Sequence, residues 1–234
     1  MNIRDFRQGA KAALPIVMGC VPIGMAFGVL ATQAHLSVFE VLFMSLVVYA
    51  GSAQFIGVGM LAAGASYGAI IITTLLVNSR HLLMSTVLAP YMKKFSTGIL
   101  FIIGFGVTDE SFAVAMGDLV NGEKPPGYFL GLQLTTQFSW IVSTAVGAAA
   151  GNLIPNPESF GLHYALPAMF IGLLVIQIRG KLGIFVAVIA GMLSLLIKLN
   201  IPGNWNVILA SIITATIGVT IEIWMEKSSR SSSV

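Results

Sequence analysis

Charge is the scarcest thing in this chain of 234 residues: 12 Lys+Arg and 9 Asp+Glu make 9% of it, against 56% hydrophobic. A soluble domain carries about 25% charged residues, so there is too little charge here to coat a globule. Mean hydropathy is +0.92. A soluble single domain and a disordered chain are both excluded. Cysteine is almost missing as well. Cys20 stands alone, which excludes an intramolecular disulfide and a Cys-based metal site. There is no H-E-x-x-H, no G-x-x-x-x-G-K-[ST], no Rossmann glycine run and no Cys/His ligand spacing. Neither metal nor cofactor is therefore expected, and an enzyme is the weaker hypothesis: Ser52 and His81 do not make a matched nucleophile and base. Nor does any basic run interleave with aromatics, so a nucleic-acid face is missing. The net charge of +3 is what the cytoplasmic loops of a membrane protein supply.

What the chain has in abundance is apolar runs. At about 20 residues per crossing, its length accommodates an all-α, polytopic transmembrane bundle of about eight segments. The runs cover 12–31, 39–62, 68–90, 97–118, 128–151, 162–178, 182–199 and 205–225. Turn-forming residues separate them at 64–68, at Pro90 with Lys93-Lys94, at 121–127, at 152–157, at 179–181 and at 202–204. Residues 1–227 form one transmembrane domain on this reading, with a Ser-rich, disordered cytoplasmic tail at 228–234. The opening Arg4, Arg7 and Lys11 before an apolar run imitate a signal peptide. The run is too long and lacks a cleavage site, so a retained first helix is expected.

The placement of Lys and Arg sets orientation. Eight crossings with the N-terminus inside put Arg4, Arg7, Lys11, Lys124, Arg179, Lys181, Lys227 and Arg230 on the cytoplasmic side. Lys93, Lys94 and Lys198 then lie outside, and Arg80 within the membrane. Lys93-Lys94 is the awkward pair. They move inside if 39–62 is two half-helices returning to their own side, but strict alternation then moves the later basic clusters outside. Small residues at four-residue spacing (Gly24/Gly28, Gly64/Gly68, Gly127/Gly131, Gly147/Gly151) favour close helix packing in lipid. Ala13-Leu14-Pro15 recurs as Ala165-Leu166-Pro167, a faint sign of an internal repeat.

Intramembrane polar residues mark functional sites by default, and three clusters qualify. The first is Tyr49-Ala50-Gly51-Ser52-Ala53-Gln54-Phe55. Gly51 lets the backbone leave helical geometry and Ser52 offers a cap for a new half-helix, whose N–H groups suit a carboxylate. The alternative is an unbroken helix in which Ser52 and Gln54 bond locally. The second is Asn78-Ser79-Arg80-His81, where Asn78 and His81 share a face and Arg80 points elsewhere. Arg80 needs a carboxylate, carbonyl oxygens or a wet cavity; the bland reading is snorkelling. In the third, Gly104 to Glu110, two glycines flank a break, Thr108 caps, and Asp109 and Glu110 fall in the next first turn, where the helix dipole favours negative charge. Two adjacent carboxylates at low dielectric suggest a proton carrier. A structural pair of Arg80 with Asp109 or Glu110 is compatible with either role. Gln133, Gln137, Trp140 and Thr144 form a polar stripe on the fifth segment, read mainly as packing. His35, His163, Asp118 and Glu222 lie near segment ends, where solvent explains them.

Leu14-Pro15, Tyr49 to Phe55, Asn78-x-Arg80-His81 and Gly106-x-Thr108-Asp109-Glu110-x-Phe112, in this order, resemble the AzlC-like permeases, large subunits of branched-chain amino acid exporters. The motifs lie in residues 14–112; the second half matches in hydropathy. A departure is Met84-Ser85, where members often have Tyr-Gly, and substrate detail is not carried over for that helix. The resemblance implies export of leucine, isoleucine, valine and similar amino acids across the bacterial plasma membrane, with a small AzlD-like membrane subunit as partner. On that basis Tyr49, Gly51, Ser52, Gln54, Asn78, Arg80, Asp109 and Glu110 are the expected substrate site. Gly51-Ser52 and Arg80 take the carboxylate, and Asp109 or Glu110 the ammonium. Asp109, Glu110 and His81 are the candidates for proton coupling. Rival readings are a passive facilitator and a non-transporting membrane subunit.

Overall fold

The computed structural model describes residues 2–120, 122–151, 180–200 and 205–231, with isolated positions between 153 and 178. Most of the 162–178 segment, all of the 152–157 turn but Leu153, the 202–204 turn, His163, Ala165-Leu166 and Arg179 lie outside the described residues. Every regular element among the described residues is helical, and they fall into two compact units, Met1–Phe170 and Ile171–Val234.

The first unit is built on three helices. α1 (Ile3–Ala12) and α2 (Leu14–Gln33) are joined through the helical Ala13, and both lie along α9 (Pro126–Gly151). Glycine makes this possible. A Cβ on Gly9 would sit 1.9 Å from the Tyr128 carbonyl oxygen, on Gly28 2.3 Å from that of Thr144, and on Gly147 2.1 Å from that of Met25. Backbone against backbone is the contact small residues permit in lipid, where no hydrophobic force draws helices together. Gly24/Gly28, Gly127/Gly131 and Gly147/Gly151 all lie at this seam, whereas Gly64, in a turn, and Gly68, in the first turn of a later helix, meet nothing within 4 Å. α1 was not expected as a helix. Asn2 caps it, and Arg4, Arg7 and Lys11 stay exposed.

Around this spine the remaining helices come in broken pairs: α3 (Val38–Val47) with α4 (Gly51–Ala62), α5 (Tyr67–Asn78) with α6 (Arg80–Leu88), and α7 (Thr97–Phe105) with α8 (Asp109–Leu119). The break between α5 and α6 is a slight tightening at Ser79, which keeps helical dihedrals. The stretch from Tyr67 to Met92 therefore stays one long apolar rod. It joins Leu14–Gln33 and Gly180–Asn200 as stretches long and apolar enough to cross a membrane.

The other two pairs fold back on themselves. At Tyr49 the backbone turns left-handed (φ 40) and Ala50 is extended. α4 then returns beside α3, with Gln54 bonded to Ser45 at 3.1 Å and Gly57 facing Met44. At the second reversal Thr108 is extended and caps α8 in a box with Ser111. The outer ends of that pair meet: Lys94 lies 3.2 Å from Glu123, and the Phe95 and Phe129 rings are 5.9 Å apart. The all-α bundle with discontinuous helices is thus present, but 39–62 and 97–118 are hairpins, and the expected eight through-crossings do not hold for them. A hairpin of two apolar half-helices has the composition of a span, so hydropathy alone does not separate the two.

The second unit pairs α10 (Gly180–Asn200) with α11 (Trp205–Ser231), antiparallel, Gly218 lying against Val186. α11 is helical to Ser231, inside the stretch expected as a disordered tail.

Candidate functional site

The two hairpin tips approach each other from opposite ends of the first unit, and Arg80 joins them. Gly51, the first residue of α4, packs against the Trp140 ring, while Gly106 at the other tip packs against Gln133. Gln133 and Trp140 are two turns apart on α9, so the tips are separated by about 10 Å along it. The Arg80 guanidinium spans this gap. One terminal nitrogen lies 2.7 Å from the Asp109 carboxylate at the start of α8; the other donates to the Ser52 hydroxyl in the first turn of α4. The starts of two half-helices, α4 and α8, therefore converge on one ion pair with Arg80, which extends from the α5–α6 rod. Asp109 is 9% exposed and Arg80 27%.

Ser52 is not the cap it was expected to be. Ala50 holds that position without a side-chain bond, which leaves the Ser52 hydroxyl for Arg80 and the α4 N-terminus uncapped by any side chain. Thr108, by contrast, caps as its type and spacing predict. The second tip has its own support. Breaking the helix frees the Ile103 carbonyl, which accepts from the Gln133 amide at 2.9 Å.

Several polar atoms here lack partners among the described residues: the Tyr49 hydroxyl, Asn78 Oδ1, Arg80 Nε and Gln133 Oε1, all buried. Buried polar groups are nearly always satisfied, and each exception asks for an explanation such as a ligand or water. Tyr49 is 5% exposed and stacks on Phe105, so it ties the reversal at 48–50 to the end of α7. Glu110 is half-buried with no ion pair or hydrogen bond among the described residues, and close enough to Tyr49 and Cys20 to act on both electrostatically. His81 bonds through Nδ1 to the Asn78 carbonyl at 3.0 Å, a local contact within its own rod.

Gln54 plays a different part from the one expected. It is fully buried, donating to Ser45 at 3.1 Å and accepting from the Trp140 indole at 2.9 Å; Ser45 in turn meets Thr144 at 3.0 Å. This network fastens the first hairpin to α9 and spends the amide on structure. The geometry thus gathers Ser52, Arg80 and Asp109, keeps Tyr49, Gly51, Asn78 and Glu110 within three residues of them along the chain, and sets Gln54 and His81 into other bonds. Ser45 and Phe27, which packs on Phe55 and Trp140, were missed by sequence reasoning, and Phe105 was included in its cluster without a role. Only proximity across the fold marks them.

Residues 15–154 match the family described as AzlC protein. The chain is 32% identical to the inner membrane protein YgaZ of Escherichia coli (strain K12), over 84% of this chain and 83% of that protein. It is 33% identical to an uncharacterized membrane protein of Archaeoglobus fulgidus, over 75% and 77%. It is also 27% identical to the branched-chain amino acid transport protein AzlC of Bacillus subtilis (strain 168), over 74% and 67%. No solved structure matches.

Proposed function

Since the chain belongs to the AzlC family, a membrane transport family, we propose that it is a secondary transporter exporting branched-chain and similar apolar amino acids across the bacterial plasma membrane. The observation that carries this is the Arg80–Asp109 pair between two hairpin tips, with unsatisfied polar atoms beside it. A zwitterion with an aliphatic side chain needs an anion site, a cation site and an apolar wall. Arg80, Ser52 and the uncapped α4 N-terminus supply the first. Asp109 or Glu110 supplies the second, and Phe, Leu and Met side chains the third. Sites at broken helices near the bilayer midplane are the usual plan of secondary transporters, and alternating access is their mechanism.

Export against a gradient requires an energy source. With no nucleotide motif in the sequence, protons or the membrane potential drive it in this reading. Among Asp109, Glu110 and His81, Glu110 is the best-placed carrier, because Asp109 is held by Arg80 and His81 by its own helix. A small AzlD-like membrane subunit is the proposed partner. The test is an efflux panel of leucine, valine, methionine and lysine in cells expressing the chain with and without that subunit. Leucine and valine efflux above background, lysine unmoved, is expected; no efflux of any of them overturns the proposal. Everted vesicles with and without an imposed proton gradient separate a coupled transporter from a passive facilitator, whose flux follows the substrate gradient alone.

A further inference from the structure

The site just described is already filled. Arg80 offers a planar fork of N–H donors, the geometry that suits a carboxylate. The carboxylate on it at 2.7 Å is the protein's own, that of Asp109. Asp109 and Ser52 hold the two terminal nitrogens and Nε is left unpartnered, so a substrate carboxylate that takes the terminal fork does so by taking over the Asp109 contact. We propose that Asp109 is a resident stand-in for the substrate carboxylate: a zwitterion inserts into the Arg80–Asp109 pair, its carboxylate replacing Asp109 on Arg80 and its ammonium pairing with the Asp109 it has displaced. This rests on the transporter reading above and names the residue that selects for a zwitterion.

Charge balance at a buried pair decides which ligands can enter. Separating a buried pair without replacement leaves two uncompensated charges, which is strongly unfavourable. A ligand with both charges re-pairs each of them, so nothing is left over and no proton need be taken up at Asp109. A ligand with a carboxylate alone leaves Asp109 stranded, and an amine alone leaves Arg80 stranded. Selectivity for amino acids over acids and amines of the same shape then follows without further contacts to the backbone of the ligand. The exchange also has a mechanical side. Asp109 belongs to the α7–α8 tip and Ser52, which keeps its bond to Arg80, to the α3–α4 tip. Inserting a ligand between Arg80 and Asp109 parts one tip from the guanidinium while the other stays attached, so occupancy and the separation of the tips are one event.

Calorimetry on the full chain in phospholipid nanodiscs, with three ligands of one shape, tests this: leucine, 4-methylpentanoate (no amine) and 3-methylbutylamine (no carboxylate). Wild type should bind leucine at least tenfold more tightly than either analogue. Asp109→Asn removes the competitor together with the ammonium partner. It should weaken leucine and strengthen 4-methylpentanoate by tenfold or more. Arg80→Gln should do the reverse, strengthening 3-methylbutylamine and abolishing 4-methylpentanoate. Asp109→Glu and Ser52→Ala keep the competing charge, and neither should raise affinity for the acid, which sets competition apart from mere loosening. Should Asp109→Asn fail to fold, Asp109→Ser and the wild-type ranking carry the same question. Equal binding of leucine and 4-methylpentanoate by wild type overturns the inference while leaving the transporter reading intact. So does undiminished leucine binding in Asp109→Asn with loss in Glu110→Gln. No leucine binding together with no leucine efflux overturns both.

Discussion

Replacing Lys94 and Glu123 by cysteine, one at a time and together, asks which end of the membrane each occupies. If residues 97–119 ran straight across, one helix of that length would hold its ends about 35 Å apart. The folded hairpin brings Lys94 and Glu123 to 3.2 Å. Its arms are 9 and 11 residues long, or about 14 and 17 Å at the rise of an α-helix. That is about half of a 30 Å hydrocarbon core, so the tip carrying Asp109 stops near the midplane. The α3–α4 arms, 10 and 12 residues, reach a similar depth from the other end. Cys20, the sole cysteine, is 8% exposed, so Cys20→Ala gives a quiet background. Membrane-impermeant maleimide should then label Lys94→Cys, Glu123→Cys and Gln8→Cys from one face and Ala63→Cys from the other. A short bismaleimide should bridge the 94/123 double variant. Labelling of Lys94→Cys and Glu123→Cys from opposite faces, with no bridge, would refute the hairpin.

Other predictions concern what holds the tips in place. Gly28→Ala and Gly147→Ala put a Cβ within 2.3 Å of backbone that has no room to yield. Each should lower thermal stability by about 1–3 kcal/mol or more, as overpacking does, while Gly68→Ala, with nothing within 4 Å, should change it by no more than about 0.5 kcal/mol. Gln54→Leu leaves the buried Trp140 N–H and Ser45 hydroxyl short of a partner. A loss of about 1–3 kcal/mol in detergent unfolding is expected, with the ranking of substrates unchanged; a changed ranking would return Gln54 to the binding site. Thr108→Ala removes the cap of α8 and should cost about 1 kcal/mol, and Thr108→Ser should restore most of it.

The second break was legible because its parts are local. Gly104 and Gly106 weaken the helix, Thr108 caps, and acidic residues follow in the first turn, a pattern that needs no knowledge of the rest of the chain. The first break was harder to read. The residue that turns the backbone is Tyr49, at φ 40, a conformation its type does not advertise, and the expected cap Ser52 is occupied by Arg80 from another helix. The partner of Arg80 was narrowed to Asp109 or Glu110 by cost alone, since an arginine at depth needs a countercharge, and distance chose Asp109. The reversals themselves left one trace in the sequence, the awkward Lys93-Lys94. Either reversal taken singly carries the later basic residues to the wrong side. Two reversals cancel, so Lys124 keeps its side while Lys93 and Lys94 join it. In the first unit, Arg4, Arg7, Lys11, Lys93, Lys94 and Lys124 then share one end and the connections at 34–37 and 63–66 at the other carry no Lys or Arg, the one-sided distribution that the positive-inside rule describes.

Stability does not explain why an ion pair sits where the tips meet. Taking two charges out of water costs more than their attraction commonly returns, and apolar side chains of similar volume are often as stable or more so. The rest of the first unit uses cheaper means to the same end. Glycine seams hold α1 and α2 to α9, one neutral network of Ser45, Gln54, Trp140 and Thr144 fastens the first hairpin, and the Gln133 amide fastens the second. Those contacts already position both tips, so Arg80 and Asp109 are not needed to bring them together. What an ion pair offers that leucine does not is reversibility toward a charged ligand, because each half remains competent to bind when the other is displaced. The unsatisfied Arg80 Nε and Tyr49 hydroxyl point the same way, since a contact built only for strength leaves no donors idle. The scarce charge of this chain is thus divided between two tasks, orientation at the ends and ligand exchange at the centre, and the second is the one that a packed apolar core could not perform.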